Sequence, residues 1–371
     1  NDTITIQGPP GTGKTYLIAQ LCAAFLKGGF NTMVTALTNR ALVELAEKDF
    51  LAPALDKGMV FKSSLSADEQ RNIKLKKLQP FKSLGEQKPP LLLASYYVMS
   101  QIAASAMTGE HFEYIIIEEA SQAFLSTIAI AKKLGKKCIV IGDIKQLEPI
   151  FRKEFPSDDP DNFHYMVCGL KAISYYFPDS KQYILTDSYR LNERSVQATN
   201  SFYNDVLVSK SNHQFPLVFN NIKLNNRFNV MGGTSIKLFD LSKDKLPTEI
   251  CTKFIAETIR LLKELNEKTN ISILAFHRNS VRHLQSKIFN EFPKIDGILV
   301  ETIDRIQGMT TDVCIFFIPL EAFPFALQAN RFNVATSRAK LCTLIIADDS
   351  LREFSNNCNK EVVEYFERVQ I

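Results

Sequence analysis

The residues best equipped for chemistry form a phosphate-loop pattern, GxxxxGK[ST], near the start of the sequence. They are Gly8, Pro9, Pro10, Gly11, Thr12, Gly13, Lys14 and Thr15. In such a loop the backbone N–H groups cradle phosphate oxygens, the lysine reaches the β/γ-phosphates and the final hydroxyl can hold Mg²⁺. We therefore predict that these residues bind a nucleoside triphosphate, with Lys14 also catalytic and Thr15 also a metal ligand. The alternative is a glycine-rich turn that only joins a strand to a helix.

The segments on either side of this loop are predicted to be a strand and a helix. Thr3–Gln7 alternates as a strand does, and Thr15–Lys27 carries apolar residues at helical spacing before Gly28 and Gly29 end the pattern. A strand, a glycine-rich turn and a helix N-terminus together make an anion site.

Two neighbouring carboxylates follow another apolar run. Glu118 and Glu119 directly follow the apolar run Tyr114–Ile117. We predict that Glu118 holds Mg²⁺ and that Glu119 polarises the attacking water as the catalytic base. Adjacent acids at a strand end also occur as solvent-facing caps.

A second polar loop follows the apolar run Ile139–Ile141. Ligands of open parallel sheets bind at the carboxyl edge of the strands. Asp143 and Gln146 are therefore expected to face the same nucleotide, and Gln146 is predicted to sense the γ-phosphate by hydrogen bonding.

Short apolar runs alternate with helical stretches along the chain, which predicts an α/β fold with mostly parallel sheets. In the first half the runs are 32–36, 91–95, 114–117, 137–142 and 183–186. In the second half they are 235–239, 271–275, 298–301, 312–318 and 342–347. We expect two domains, residues 1–187 with the phosphate loop and residues 188–371 without a second one.

Composition restricts the remaining choices. The chain has 371 residues and a formal charge of +4, so a nucleic-acid surface would be a local patch. Its seven cysteines form no CxxC pair, which favours reduced thiols over disulfides or zinc, and a cytoplasmic or nuclear location. No apolar run is long enough to span a bilayer, so no membrane partner is expected.

A short basic insertion is expected at about residues 51–90 of the first domain. Its cations are Lys62, Arg71, Lys74, Lys76, Lys77 and Lys82. Its middle can form an amphipathic helix; the cations then make either a solvated face or a nucleic-acid flank.

An ordered series of motifs resembles the superfamily 1 helicases, and within them the 5′-to-3′ subgroup typified by the nonsense-mediated-decay RNA helicase and its DNA-replication relatives. After the phosphate loop, the matching segments are 35–41 (motif Ia), 118–122 (motif II), 142–147 (motif III), 188–190 (motif IV), 302–308 (motif V) and 333–340 (motif VI). The order makes the resemblance specific, and it covers nearly the whole chain.

This resemblance implies two tandem RecA-like domains that use ATP and Mg²⁺ and bind single-stranded DNA or RNA. Arg190 and Arg338 are then arginine fingers on the γ-phosphate, with an ordinary salt bridge as the alternative for each. Tyr189 is expected to stack on the nucleotide base, unless it is a core tyrosine, and Gln307 and Gly308 to join the nucleotide site. The predicted nucleic-acid backbone contacts are Thr38, Asn39, Ser95 and Thr302.

The sequence departs from the family pattern at three places. Glu118 replaces the usual Asp, Thr310 stands where a Glu is common, and Phe276–Ser280 replaces a Thr-Pro-Tyr turn. The expected function is a 5′-to-3′ translocase or helicase motor. An ATP-hydrolysing clamp and a nucleotide-binding module that has lost catalysis are the alternatives. The choice of DNA or RNA stays open.

The chain opens directly at the phosphate-loop strand, so we expect flanking domains of a longer protein as further partners. Nothing in the sequence points to a particular oligomeric state.

Overall fold

A computed structural model describes most of the chain. The described residues are 3–63, 75–105, 109–150, 167–176, 180–213, 222–229, 232–241, 249–293, 296–355 and 357–370. No helix within these ranges combines the length and the apolar character that a membrane crossing needs.

Contacts within the chain divide it into two compact units. Unit 1 comprises Asn1–Gly8, Gly13–Ile144 and Glu148–Leu185. Unit 2 comprises Pro9–Thr12, Lys145–Leu147 and Thr186–Ile371, so it includes the tip of the phosphate loop. The functional domain boundary after residue 187 stays a prediction.

Unit 1 is built on a parallel sheet with strand order β4-β3-β5-β2-β6-β7-β1-β8. Its strands are β1 (Thr3–Gln7), β2 (Thr32–Ala36), β3 (Val60–Lys62), β4 (Gln79–Pro80), β5 (Leu91–Ser95), β6 (Phe112–Ile117), β7 (Gly135–Gly142) and β8 (Lys181–Ile184). Its helices are α1 (Lys14–Lys27), α2 (Asn39–Ala46), α3 (Ala52–Asp56), α4 (Tyr96–Ser105), α5 (Leu125–Lys132) and α6 (Gly169–Tyr176).

Apolar residues fill both faces of this sheet. Ile116 and Ile141 pack into one buried cluster, and their chain neighbours Ile117 and Val140 pack into the other. Successive strand residues point to opposite faces, so a parallel sheet covered on both sides needs continuous apolar runs. This explains why the buried strands β2, β5, β6 and β7 could be predicted as short apolar segments.

Unit 2 contains a second parallel sheet, with strand order β11-β15-β14-β12-β13, and a small parallel pair β9 and β10. Its strands are β9 (Asp187–Ser188), β10 (Val208–Ser209), β11 (Gly233–Phe239), β12 (Ile271–Ala275), β13 (Ile298–Thr302), β14 (Thr311–Ile318) and β15 (Ala339–Asp348). Its helices are α7 (Glu193–Thr199), α8 (Ile222–Asn225), α9 (Glu249–Leu265), α10 (Arg278–Glu291), α11 (Phe323–Ala326), α12 (Ala329–Thr336), α13 (Leu351–Ser355) and α14 (Lys360–Arg368).

The core of unit 2 follows the same rule as that of unit 1. Phe316 and Ile345 belong to one buried cluster, while Phe317 and Ile346 belong to the other. The prediction of an α/β fold with mostly parallel sheets is confirmed. Within each sheet, parallel pairing brings the carboxyl ends of neighbouring strands to one edge, where the predicted site residues begin.

Candidate nucleotide site

The phosphate loop connects β1 to α1 through two glycines in the left-handed backbone region. Gly11 has φ of +74° and Gly13 has φ of +78°, values that other residues rarely adopt. Gly13 is the N-cap of α1, and its carbonyl accepts a hydrogen bond from the N–H of Leu17 at 2.9 Å. The first N–H groups of α1 have no partner within the helix, so they are available to phosphate oxygens.

The start of the loop is fixed to unit 1 by the backbone of Gly8. Its N–H donates to the carbonyl of Gly142 at 2.8 Å, at the carboxyl end of β7. Its own carbonyl accepts a hydrogen bond from Nζ of Lys14. The ammonium group of Lys14 therefore lies across the loop, where bound phosphates would be.

The tip of the loop packs inside unit 2 against the segment that follows β9. The N–H of Tyr189 donates to the carbonyl of Gly11 at 2.9 Å, and Oγ of Ser188 donates to the carbonyl of Pro10 at 3.0 Å. A Cβ placed on Gly11 would lie 2.5 Å from Cβ of Arg190, so no larger residue fits there. Tyr189 itself is 59% exposed, which rules out a core tyrosine.

Glu118 is a buried carboxyl group beside the N-terminus of α1. Its Oε1 accepts a hydrogen bond from Oγ1 of Thr15 at 2.7 Å, and the residue is only 3% exposed. Its Oε2 has no hydrogen-bond partner among the described residues. Burial raises the pKa of this carboxyl group to about 8; the hydrogen bond from Thr15 opposes the shift, and the charge of Glu119 adds to it.

The oxygens of Thr15 and Glu118 suit Mg²⁺, which prefers oxygen ligands and commonly binds one or two carboxylates together with substrate phosphates. The orphaned Oε2 of Glu118 is the observation that fits a cation here. No group of three or more His, Cys, Asp or Glu side chains in the described ranges could hold a metal. A cation at Thr15 and Glu118 would take its other ligands from phosphate and water.

Glu119 adopts an uncommon backbone conformation, with φ of +54°. It precedes a short 3₁₀ turn, Ala120–Gln122, that packs on the end of β7. A Cβ placed on Gly142 would lie 2.7 Å from the backbone nitrogen of Ser121, so this close approach requires glycine. Such locally strained positions are frequent at functional sites.

The carboxylate of Asp143 is oriented by a residue that sequence reasoning missed. Nε2 of Gln7 donates to Oδ1 of Asp143 at 2.5 Å, and Oε1 of Gln7 accepts from the N–H of Ile144 at 3.1 Å. Both contacts link the ends of β1 and β7. The available signal was a polar residue at the last position of the strand that leads into the loop.

In unit 2, Arg338 is a buried cation at the C-terminus of α12. It is 1% exposed; its Nε donates to the carbonyl of Val334 at 2.8 Å and its Nη2 to Oγ of Ser337 at 3.3 Å. Nη1 of Arg190 donates to the carbonyl of Ser337 at 3.3 Å. The two predicted arginines therefore meet at Ser337, a residue that the sequence analysis assigned no role.

The other predicted nucleotide residues of unit 2 differ in their surroundings. Gln146 is buried, and the preceding carbonyl, that of Lys145, accepts a hydrogen bond from Nδ2 of Asn333 at 2.7 Å. Oε1 of Gln307 is buried and has no partner among the described residues. Gly308 has φ of +82°, so the turn after Gln307 depends on glycine.

The predicted nucleic-acid contacts lie at strand ends. Ser95 ends β5 in register with Ala36 of β2, and Thr38 and Asn39 follow β2 directly. The hydroxyl groups of Thr38 and Ser95 accept hydrogen bonds from the first turns of α2 and α4. Thr302 ends β13 in unit 2 and is buried.

Among the described cations of the basic insertion, Lys76, Lys77 and Lys82 are exposed, as either a solvated face or a nucleic-acid flank would be. Lys62 is buried in β3, and Nζ of Lys77 lies 2.5 Å from a carboxylate oxygen of Asp56. Arg71 and Lys74, with the middle of the predicted amphipathic helix, lie outside the described residues.

Comparison with known proteins gives matches over most of the chain. One family model described as "AAA domain" matches residues 170–350, and a second model with the same description matches residues 1–152. The "Uncharacterized ATP-dependent helicase MJ0104" of Methanocaldococcus jannaschii is 24% identical over 68% of this chain. The "DNA replication ATP-dependent helicase/nuclease dna2" of Schizosaccharomyces pombe is 24% identical over 95% of it.

The chain belongs to the superfamily 1 helicases. The "Crystal structure of Arterivirus nonstructural protein 10 (helicase)" is similar to 96% of this chain and 62% of that one, with a TM-score of 0.51 at 14% identity, which supports the tandem RecA-like fold. This superfamily 1 chain spans only 38% of the archaeal relative and 27% of the yeast relative.

Proposed function

We propose that this superfamily 1 chain is an ATP-hydrolysing motor that moves along single-stranded nucleic acid and separates strands. The observation that carries the proposal is the contact between Thr15 and Glu118. It joins the last residue of the phosphate loop to a buried acid with one orphaned oxygen. A nucleotide-hydrolysing site needs this combination of phosphate cradle and cation ligand.

The residues of the nucleotide site have separable roles in this proposal. Mg²⁺, when bound by Thr15 and Glu118, would neutralise charge on the phosphates. Lys14 binds the β/γ-phosphates. Glu119 accepts a proton from the attacking water, and Gln146 senses the γ-phosphate by hydrogen bonding.

In this proposal, residues of unit 2 stabilise the negative charge of the transition state. Arg190 and Arg338 stabilise the transferring phosphoryl group, as guanidinium groups do in other phosphoryl-transfer sites. Tyr189, which is exposed, stacks on the nucleotide base. Gln307 and Gly308 complete the site beside the γ-phosphate.

The strand-binding surface is proposed at the carboxyl edges of the sheets. Thr38, Asn39 and Ser95 would contact the backbone of the strand in unit 1, and Thr302 would do so in unit 2. Backbone contacts of this kind position a strand without reading its sequence. The names of the relatives, both described as ATP-dependent helicases, support a nucleic-acid motor.

ATP hydrolysis measured with and without single-stranded DNA or RNA tests the proposal. We expect stimulation by at least one type of strand. We expect loss of hydrolysis in Lys14→Ala, because this variant lacks the ammonium group that binds the phosphates. A lack of stimulation by both strands would contradict the motor. A wild-type rate equal to that of Lys14→Ala would support the nucleotide-binding module instead.

Strand separation and direction need a second assay, on duplexes with either a 5′ or a 3′ single-stranded tail. We expect displacement from the 5′-tailed duplex, because the motif order resembles the 5′-to-3′ subgroup. Preference for the 3′ tail would contradict the proposed direction. Stimulated hydrolysis without displacement from either duplex would favour the ATP-hydrolysing clamp.

We also propose that the protein works in a reducing compartment, the cytoplasm or nucleus. All seven cysteines are free thiols, and six of them are buried. Burial raises the pKa of the Cys314 thiol to about 12, so this group stays protonated and unreactive.

A further inference from the structure

An aromatic ring stands exposed at the edge of unit 1 where the strand is proposed to bind. Tyr97 lies in the first turn of α4, directly after β5, and is 73% exposed. The preceding residue, Tyr96, is buried instead, and its hydroxyl donates to the carbonyl of Glu118. Two adjacent tyrosines thus have opposite environments: one anchors the helix and the other faces solvent.

The position of Tyr97 follows from the register of the sheet. Ser95 at the end of β5 pairs with Ala36 at the end of β2, and neighbouring strands are roughly 5 Å apart. Residues 37–40 therefore leave the sheet next to Tyr97. Among them Leu37 is exposed although it is apolar, which adds apolar surface to the same edge.

Charge at this edge is complementary to a polyanion. Arg40 is exposed in the first turn of α2. The N-termini of α2 and α4 both lie at the ends of these neighbouring strands, and each contributes partial positive charge. An aromatic ring flanked by positive charge suits a nucleotide, whose base has a flat π-face and whose phosphate is anionic.

The ring of Tyr97 is also held in place. Nε2 of Gln101, one turn later in α4, donates to the hydroxyl of Tyr97 at 3.1 Å. A side chain whose orientation is already fixed loses less entropy when it binds.

We propose that Tyr97 is a base-stacking residue that holds one base of a single nucleic-acid strand at the edge formed by β2 and β5. The inference rests on the proposed function and deepens it. The residues predicted from motifs contact the strand backbone, whereas Tyr97 recognises the face of a base. Stacking tolerates any base, so Tyr97 adds affinity and a fixed base position without sequence preference.

Fluorescence anisotropy with matched strands tests this role. The probes are labelled oligothymidylate and oligouridylate, each alongside the same strand with abasic central positions. Tyr97→Ala is expected to weaken binding of the base-containing strand by roughly 5- to 100-fold and to leave the abasic strand at wild-type affinity. Tyr97→Phe keeps the ring but loses the hydrogen bond from Gln101, so it should bind the base-containing strand far more tightly than Tyr97→Ala and slightly more weakly than the wild type.

The control is Tyr183→Ala, which removes a tyrosine that is also exposed but lies on β8, at the far end of the same sheet. Its affinities should equal those of the wild type. An equal loss on base-containing and abasic strands in Tyr97→Ala, or no loss on either, would overturn the stacking role. Wild-type protein that binds none of the strands would instead contradict the proposed function itself.

Discussion

Glu118 in unit 1 and Arg338 in unit 2 are both buried ionisable residues beside a helix terminus, but their surroundings differ. Glu118 lies at the N-terminus of α1, and Arg338 lies at the C-terminus of α12. Each charge therefore has the sign that the adjacent helix dipole favours. In Arg338, Nε and Nη2 both donate hydrogen bonds, whereas Glu118 has one oxygen bonded to a neutral hydroxyl and one with no partner in the described ranges.

The guanidinium of Arg338 thus finds hydrogen-bond partners within its own unit, whereas the carboxyl group of Glu118 keeps one oxygen without a partner among the described residues. The guanidinium of Arg338 keeps its charge at any ordinary pH and is oriented by its own helix. The carboxyl group of Glu118 has a raised pKa because burial outweighs the hydrogen bond from Thr15 and the positive charge of Lys14. We infer that Arg338 is oriented before nucleotide binds, while a cation that accompanies the nucleotide would favour the anionic form of Glu118.

Replacing Arg338 with lysine is expected to have the largest effect. Arg338→Lys keeps a positive charge, but a compact ammonium group lacks the planar fork of donors that lets Nε and Nη2 bond to Val334 and Ser337 while Nη1 faces a phosphate. We expect the rate of ATP hydrolysis to fall roughly 1,000-fold, the size of an arginine-finger contribution, with nucleotide affinity largely kept. Steady-state hydrolysis and binding of a fluorescent nucleotide measure the two effects.

The matched control for this change is Arg305→Lys, an exposed arginine of unit 2 whose partner is Glu301. It should hydrolyse ATP at the wild-type rate. Similar rates in Arg338→Lys and Arg305→Lys would mean that Arg338 only stabilises the end of α12.

Changing Glu118 should have a smaller effect that depends on the Mg²⁺ concentration. Glu118→Gln removes the anion, so we expect turnover to fall on the order of 100-fold, since several kcal/mol of charge stabilisation would be lost. Glu118→Asp restores the residue usual in the family and should remain active. Hydrolysis measured across a Mg²⁺ titration gives the half-saturating concentration for each variant.

Glu44→Gln is the control for the electrostatic part of this prediction, because Glu44 also raises the pKa of Glu118 but lies exposed on α2. Its Mg²⁺ dependence should match that of the wild type. If the Mg²⁺ dependence of Glu118→Gln also matches that of the wild type, Glu118 does not hold the metal.

The fold could be predicted well from the sequence because parallel strands covered on both faces leave a direct signal. The continuous apolar run at Ile271–Ala275 was predicted with the bounds that the structure has. The bounds of a strand were predicted less accurately where the strand continues through polar residues. The strand predicted at 183–186 is Lys181–Ile184, and every residue of it is exposed.

The candidate site could be predicted only as far as motifs reach. The phosphate loop and Glu118 have fixed spacing from recognisable strands, so their proximity follows from sheet topology. Gln7 and Ser337 orient other site residues through single hydrogen bonds, and such contacts leave no periodic pattern. The exposure of Tyr97 could not be predicted either, because the adjacent Tyr96 is the same residue type and is buried.

Without nucleotide, the stability of the folded protein should depend on pH through Glu118. The pKa of Glu118 rises from 4.5 to about 8 on folding, so between these values the folded state holds a proton that the unfolded state releases. Stability therefore falls as pH rises through this window, and this contribution levels off above about pH 8. Glu118→Gln has no such proton and should lose less stability over the same range.

Urea unfolding of both proteins across this pH window measures the difference, since groups common to both cancel. The expected result is a wild-type stability that declines relative to Glu118→Gln as pH increases. Parallel curves would mean that Glu118 is already ionised in the folded protein. Its surroundings would then resemble those of Arg338, a charge satisfied within its own unit, and the contrast between the two buried groups would disappear.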